Sequence, residues 1–561
     1  MHLIKTILRK SKMSSKQKRS SFLVQGGILA IASVGVRIIG IVYRIPLQNM
    51  LTDKGMGYYS TAYEIYALLL ILSSYTLPSA VSKLVSTKMA LKEYANVLRI
   101  FLMSLLFALV TGSISAVVAY FGSDFLANLL GYPEAALALR ALTPTLIFVA
   151  LMGVLRGFFQ GLGSTIPTAI SQVIEKIVQV ALSLILCKIF IDSFDAMVNV
   201  GISNELEYGA YGATMGNAYG ALAALIFLAF IFFAYYSADK RLRFSNTKNV
   251  DTYGQIFKIL ILTVLPIIVT TTINNLSSII DNYLVGNILR VKGIDKDTRA
   301  TIWGIISGKY KVLIHLPISV ASALAVSTMP SMSTAIALND YKTAKDKINL
   351  AIKFTSIFSI PCVVGLFVLA RPVLQLLFYD GVNDNQLATE LIMIGAITVL
   401  LYSLSTITSS ILQGMGKLRL PAIHCAIGLV LHTITGAILL FANVGAHAII
   451  IADIVLAGSI LFLNIIAIKK IKGGHQFEIK NTFVKTSISA ITMGIATFLI
   501  KLLIEHFTAS RILLVIVPML VAVLVYAIMI LATGAISKEE MLDMPKGRTI
   551  VRILNKLHIY R

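Results

Sequence analysis

RGFFQGLGSTIPTAISQVIEKIVQV, residues 156–180, closes one apolar stretch and opens the next across a connection punctuated by Gly161, Gly163 and Pro167. Part of it recurs, since FFQGLGSTIP at 158–167 resembles ILQGMGKLRLP at 411–421. Two further pairs follow in the same order: LPSAVS (77–82) with MPSMST (329–334), and FLANLLGY (125–132) with VLQLLFYD (373–380). All three pairs are offset by about 250 residues. Helix ends bearing Gly and Pro look alike in any polytopic chain, but three collinear pairs favour two copies of one unit. Parallel repeats of this kind are typical of transporters that rock two lobes about a central site.

The rest of the chain supplies the spans that such a repeat needs. Of 561 residues, 57% are hydrophobic and 13% charged, with a mean hydropathy of +0.84, against about 25% charged in a soluble domain. A spanning helix takes about 20 apolar residues, so a dozen or more use nearly the whole length and leave no room for a soluble catalytic domain. The net charge of +23 lies mostly in short hydrophilic connections, which indicates an anionic membrane face and not nucleic acid. Cys187, Cys362 and Cys425 are far apart in apolar stretches, so neither a disulfide framework nor a zinc site is indicated.

Fourteen spans are predicted, at about 22–47, 57–82, 97–121, 137–161, 167–191, 210–236, 255–288, 302–337, 348–370, 388–415, 420–442, 445–468, 483–505 and 511–534. The expected fold is an all-α polytopic membrane protein. It has an N-lobe at 22–236 (spans 1–6), a linker at 237–254, a C-lobe at 255–468 (spans 7–12) and two extra C-terminal helices at 483–534. A basic segment at 1–21 precedes the spans and a tail at 535–561 follows them. Connections alternate in charge: Lys83, Lys88, Lys92 and Arg99 follow span 2, Asp124 and Glu134 span 3, and Lys240, Arg241 and Arg243 span 6. Both termini are therefore expected in the cytoplasm. The connection after span 7 is the exception, since Arg290, Lys292, Lys296 and Arg299 outnumber Asp295 and Asp297 there.

Ionisable groups inside spans are costly, by ~3 kcal/mol on insertion scales, and usually face a cavity. Arg37 and Arg44 lie two turns apart on span 1. Asn274, Asn275, Ser278, Asp281 and Asn282 form a polar stripe on span 7, and Lys309, Lys311 and His315 add positive charge on span 8. Arg156, Gln160, Gln172, Glu175, Lys176 and Gln179 form a second cluster, in which Arg156 and Glu175 are expected to make a structural or coupling pair. His424 and His432 on span 11 are expected to be satisfied helix histidines. Guanidinium and ammonium groups in a partly desolvated cavity suit phosphate. No GxxxxGK[ST] loop and no HExxH or GxSxG pattern is present, so the chain is expected to be neither an ATPase nor another enzyme. A coupling cation, the membrane potential or a downstream sink would supply the drive, with no cofactor and no metal.

RIIGIVYRIPL (37–47), AYEIYALLLILSS (62–74) and the quoted 156–180 stretch resemble the Gram-positive branch of the MurJ-type lipid II flippases. That family belongs to the multidrug/oligosaccharidyl-lipid/polysaccharide exporter superfamily. The resemblance covers the twelve-span core, and the two extra spans agree with it. It implies a flippase that moves a polyprenyl-diphosphate-linked oligosaccharide, foremost the peptidoglycan precursor lipid II, from inner to outer leaflet by alternating access. It also implies a bacterial plasma-membrane location, a lipid-linked glycan and membrane lipids as partners, and the cell-wall synthesis machinery as a candidate partner. The family's span-1 arginine matches Arg37, beside Gly40. A second family arginine falls on Tyr43, with Arg44 one position further, and an arginine of another branch's span 2 meets Leu72. The basic residue of span 8 matches Lys311, while Lys83, Lys309 or Arg44 are candidates to complete the site. Two other readings stay open: a MATE-like drug/cation antiporter, for which Asp281 speaks, and a flippase for another lipid-linked polysaccharide unit.

Overall fold

The computed structural model describes residues 32, 35, 36, 38–74, 76–194, 204–239, 250–337, 340–378, 385–470 and 480–536. The expected N-terminal segment, half of span 1 including Arg37, the Asn274 side chain and the tail beyond 536 lie outside the described residues. Among those described, regular structure is helical and no strand occurs. The helices are α1 (Arg44–Ser73), α2 (Leu77–Ala90), α3 (Tyr94–Phe121), α4 (Ser123–Leu130), α5 (Ala135–Gly161), α6 (Ile166–Asp192), α7 (Glu205–Ala238), α8 (Tyr253–Val291) and α9 (Lys296–Gly304). A π-helical turn at Ile305–Tyr310 leads into α10 (Lys311–Ala337). Then come α11 (Tyr341–Leu377), α12 (Gln386–Gly395), α13 (Ile397–Gly414), α14 (Arg419–Phe441), α15 (His447–Lys469), α16 (Lys485–Phe507) and α17 (Arg511–Ala532). Ten stretches among the described residues are long and apolar enough to cross a membrane.

Two compact units result: Met1–Val312 with Leu429–Ile449, and Leu313–Gly428 with Ile450–Arg561. This grouping differs from the six-plus-six division of the repeat, because α8 and α9 pack at backbone distance on the first helices. A methyl group on Gly286 would overlap the Leu130 carbonyl, and one on Gly304 the Asp53 carbonyl. Only residues without a Cβ permit that approach.

The first helix is two helices in one. Tyr43 and Tyr59 share a hydroxyl hydrogen bond of 2.6 Å, whereas 16 positions along a continuous helix would separate them by about 24 Å. The chain turns back at Thr52, whose φ of 58° and ψ of −177° suit glycine and strain a β-branched residue. Thr52→Gly should raise stability by about 1 kcal/mol, once the greater freedom of the unfolded glycine chain is deducted. Thermal unfolding of the purified protein checks this, and an unchanged or lower Tm would show that the turn holds no strain.

The connections sort to opposite ends of the first unit. Lys54 pairs with Asp297 at 2.6 Å, Lys296 pairs with Glu134, and Lys292 donates to the Leu440 carbonyl at 2.5 Å and to Asn443. The connections after spans 1, 3, 7 and 11 therefore meet. Those after spans 2 and 6 meet at Lys88 and Asp251 (2.6 Å) and where Arg99 donates to the Asp251 carbonyl (2.9 Å). Alternation also explains the basic connection after span 7. Arg299, 6% exposed, donates to the carbonyls of Gly286 and Gly131 at 2.5 and 3.3 Å. Asp295 caps α9 by accepting from the Thr298 amide at 2.8 Å, and the Thr298 hydroxyl and amide hold its carboxyl below the usual range. Lys292, Lys296 and Arg299 thus fasten neighbouring connections together and do not form a free basic patch.

An aromatic core of Phe101, Phe158, Phe232 and Tyr235 joins α3, α5 and α7, with Phe101 and Phe232 stacked at 4.3 Å. In the second unit, Ile348, Ile352, Leu404, Ile407, Ile411 and Ile468 join α11, α13 and α15. Tyr526 of α17 donates to the Ile357 carbonyl at 2.6 Å and ties the C-terminal hairpin to α11. Its outward residues, among them Ile491, Ile495, Leu520 and Val523, are exposed, as lipid-facing helices require.

Candidate functional site

The polar stripe of α8 reaches the span-8 lysine. Ser278, Asp281 and Asn282 occupy one face because three and four positions make one helical turn. Lys311, first residue of α10 after the π turn, donates to Ser278 Oγ at 2.9 Å and to Asp281 Oδ2 at 3.1 Å, and its ammonium sits 4.8 Å from the Trp303 ring centre. Glu64 of α1 faces the same group: its two oxygens accept from Ser278 at 2.6 Å and from Asn282 at 2.7 Å. Asn282 also donates to Thr61 at 3.0 Å. His432 completes the cluster with Nε2 2.8 Å from Asp281 Oδ1, both side chains being almost fully buried. A lysine ammonium is thereby suspended near two carboxylates and an imidazole inside apolar helices.

Lys309, two residues before Lys311, points elsewhere. It is 3% exposed and pairs at 2.8 Å with Asp53, whose Oδ1 also accepts from Gln48 Nε2 at 2.6 Å. That pair lies at the α1 turn, against the Gly304 seam. The π turn Ile305–Tyr310 carries Lys309 to one partner while α10 begins with Lys311 on the other. Such wide turns recur at functional sites.

Arg44 is half-buried, donates to the Ser307 carbonyl at 3.4 Å and lies 5.8 Å from the Tyr63 ring centre, with the Glu64 carboxylate a longer-range charged neighbour. Next to it, Lys176 lies 5.2 Å over the Tyr43 ring and donates to Gln179 at 2.9 Å. Gln179 in turn bonds to Asn217. A Cβ on Gly40 would stand 2.7 Å from the Lys176 side chain, so span 1 and α6 touch through that glycine. Arg156 bonds Glu175 at 2.7 Å and Ser171 at 2.9 Å, and Gln160 donates to Thr168 at 3.3 Å. Gln172 is half-buried on α6.

The remaining expected positions stand apart. Lys83 is exposed on α2, and His315 is exposed in the second unit one turn after Lys311. Asn275 is exposed and donates to its own helix at Thr271 (2.8 Å). His424 shares a 2.7 Å hydrogen bond with Asn464, which donates to Thr408 at 3.0 Å and Ser409 at 2.9 Å. Asp53, Glu64 and Trp303 belong to the two clusters although nothing in the sequence reading assigns them there. Glu64 carries a signal, being a lone carboxylate in the middle of an apolar span.

A helical architecture of this kind has known counterparts. Residues 23–336, more than half of the chain, match the model of the family described as polysaccharide biosynthesis protein, and 311–438 match MatE. The chain belongs to the polysaccharide biosynthesis protein family. Within that family setting it is 25% identical over 517 residues to the lipid II flippase MurJ of Bacillus subtilis (strain 168), covering 89% of this chain and 91% of the relative. It is likewise 25% identical to stage V sporulation protein B of the same organism, over 95% of this chain and all of the other. Among solved structures, the lipid II flippase MurJ in an inward closed conformation superposes with a TM-score of 0.63 at 18% identity, covering 89% of this chain and 97% of that one. This member of the polysaccharide biosynthesis protein family is therefore a multi-pass transporter of the multidrug/oligosaccharidyl-lipid/polysaccharide superfamily and not an enzyme.

Proposed function

We propose that the protein flips a polyprenyl-diphosphate-linked oligosaccharide, foremost lipid II, from the inner to the outer leaflet of a bacterial plasma membrane, with both termini cytoplasmic. The observation that carries this reading is Arg44: a permanent charge, half-buried among helices, whose direct contacts among the described residues are a carbonyl and an aromatic face, while the Glu64 carboxylate acts on it from beyond ion-pair distance. A diphosphate would supply a bidentate anionic acceptor for this guanidinium. Arg37, two turns earlier on span 1, is proposed as its companion, and Lys311 as the point charge on the facing helices. The six-span lobes of the repeat are proposed to rock about that site. The relatives named above support the substrate class, since one of them is a lipid II flippase. A coupling cation or the membrane potential would supply the drive, and the cell-wall synthesis machinery would consume the product.

The test uses proteoliposomes loaded with lipid II on one leaflet. Arg44→Ala should reduce translocation by roughly tenfold or more, as expected when a charge-assisted bidentate contact worth about 1.5–3 kcal/mol is lost, and Arg44→Lys should retain part of it. Full translocation by Arg44→Ala, with the protein inserted, would remove the site. The MatE match of residues 311–438 keeps a drug/cation antiporter as the second reading. That reading expects ion-coupled uptake of a cationic dye and no movement of lipid II.

A further inference from the structure

A cavity of about 250 Å³ opens in the second unit, lined by Ile352, Leu404, Thr408, Leu461, Ile465, Lys469 and Phe483. It lies where the first third of α11, the middle of α13, the end of α15 and the segment entering α16 converge. The single hydroxyl in its wall belongs to Thr408, which already donates to the Leu404 carbonyl at 2.7 Å and accepts from Asn464 at 3.0 Å. Water would have room for about eight molecules at ~30 Å³ each but would find few polar partners in the wall, and apolar cavities of that kind stay dry. An apolar chain fits the wall.

The mouth has the opposite character. Lys469, the last residue of α15, is exposed, and Lys470 follows it, likewise exposed. The C-terminal end of a helix carries a partial negative charge, so an anion there is held by the lysines against that field. Lys342 stands in the first turn of α11, and Lys417 and Arg419 where α13 passes into α14, next to Tyr341 and Met415, which pack on the same apolar cluster as Ile468. Such juxtamembrane clusters attract anionic lipid at about 1 kcal/mol per basic residue.

We propose that this cavity is a binding site for an anionic membrane glycerophospholipid, with one acyl chain between α11, α13 and α15 and the phosphate on Lys469. At about 250 Å³ the cavity has room for a stretch of one acyl chain and not for a long polyprenyl tail. The occupant is thus a resident lipid of the leaflet and not the transported molecule. Its bound chain fills the gap beside the segment that enters the C-terminal hairpin.

The full-length Phe483→Trp chain in nanodiscs tests this, with Trp303 as a constant background. Phosphatidylglycerol brominated on its acyl chains should quench the emission of the introduced indole at least twofold more than equally brominated phosphatidylcholine at the same mole fraction. Lys469→Gln in that background should abolish the difference, and as an exposed position it should not disturb folding. Leu461→Trp in the native chain, by filling the cavity, should reduce the phosphatidylglycerol retained after detergent extraction. Equal quenching by the two lipids, or a preference that survives Lys469→Gln, would overturn the proposal. Reversal of the quenching by a stoichiometric polyprenyl phosphate would also overturn it and assign the cavity to the substrate's tail.

Discussion

Lys311→Ala should lower transport by roughly a hundredfold, equivalent to about 3 kcal/mol of lost interaction, and should destabilise the protein by about 3–5 kcal/mol. Its ammonium is 2.9 Å from Ser278 and 3.1 Å from Asp281, and Ser278 in turn donates to Glu64 at 2.6 Å. Without the lysine, Asp281 at 1% exposure keeps the His432 imidazole 2.8 Å from its Oδ1 but loses the ammonium. A buried charge left in that condition costs more than the intact pair ever contributed. The double variant Lys311→Met with Asp281→Asn separates the two effects. It removes both charges at similar volume, so stability should return close to that of the unmodified protein while transport stays lost. A stable single variant would show that the pair carries no stability, and a transporting double variant would show that the cation does not meet the substrate.

Asp53→Ala should cost a similar amount, about 3–5 kcal/mol, because Lys309 at 3% exposure loses its carboxylate at 2.8 Å. The structural consequence differs, since this pair stands at the α1 turn where Gly304 packs on the Asp53 carbonyl. One turn away, Ser307 donates to Ser60 at 2.9 Å across the same seam. The Ser60→Cys thiol, at a position 3% exposed, should react with a membrane-impermeant reagent at least roughly tenfold faster once Asp53→Ala favours local opening. Asp53→Asn combined with Lys309→Met should keep the labelling slow. If Asp53→Ala left that thiol as unreactive as before, the seam would owe its closure to the glycine contacts alone.

Fold class is legible in the sequence because a low-charge chain with repeated apolar stretches admits few solutions, and because the Gly- and Pro-bearing ends repeat in order. The stripe of Ser278, Asp281 and Asn282 is legible for the same reason, spacing on one helix. Pairings across helices are not. Asp53 meets Lys309 over 256 positions, and no periodicity in one helix announces a partner in another. The π turn at Ile305–Tyr310 is equally hidden, since its residues read as ordinary helix, yet it separates the fates of Lys309 and Lys311. Lys83 and His315 qualify by charge and by position along the chain, and the structure leaves both exposed. Glu64 is within reach of the reasoning that applies to Arg37, an isolated charge in an apolar span, but its role depends on Asn282 and Ser278 arriving from α8.

Depletion of the protein in its native host, followed by leaflet-resolved analysis of lipid-linked intermediates, addresses the flippase reading most directly. The expected result is accumulation of a polyprenyl-diphosphate-linked oligosaccharide, foremost lipid II, on the inner leaflet, relieved by the unmodified chain and not by Arg44→Ala or Lys311→Ala. Unchanged lipid-linked precursors together with increased sensitivity to cationic drugs would contradict it and identify an antiporter instead.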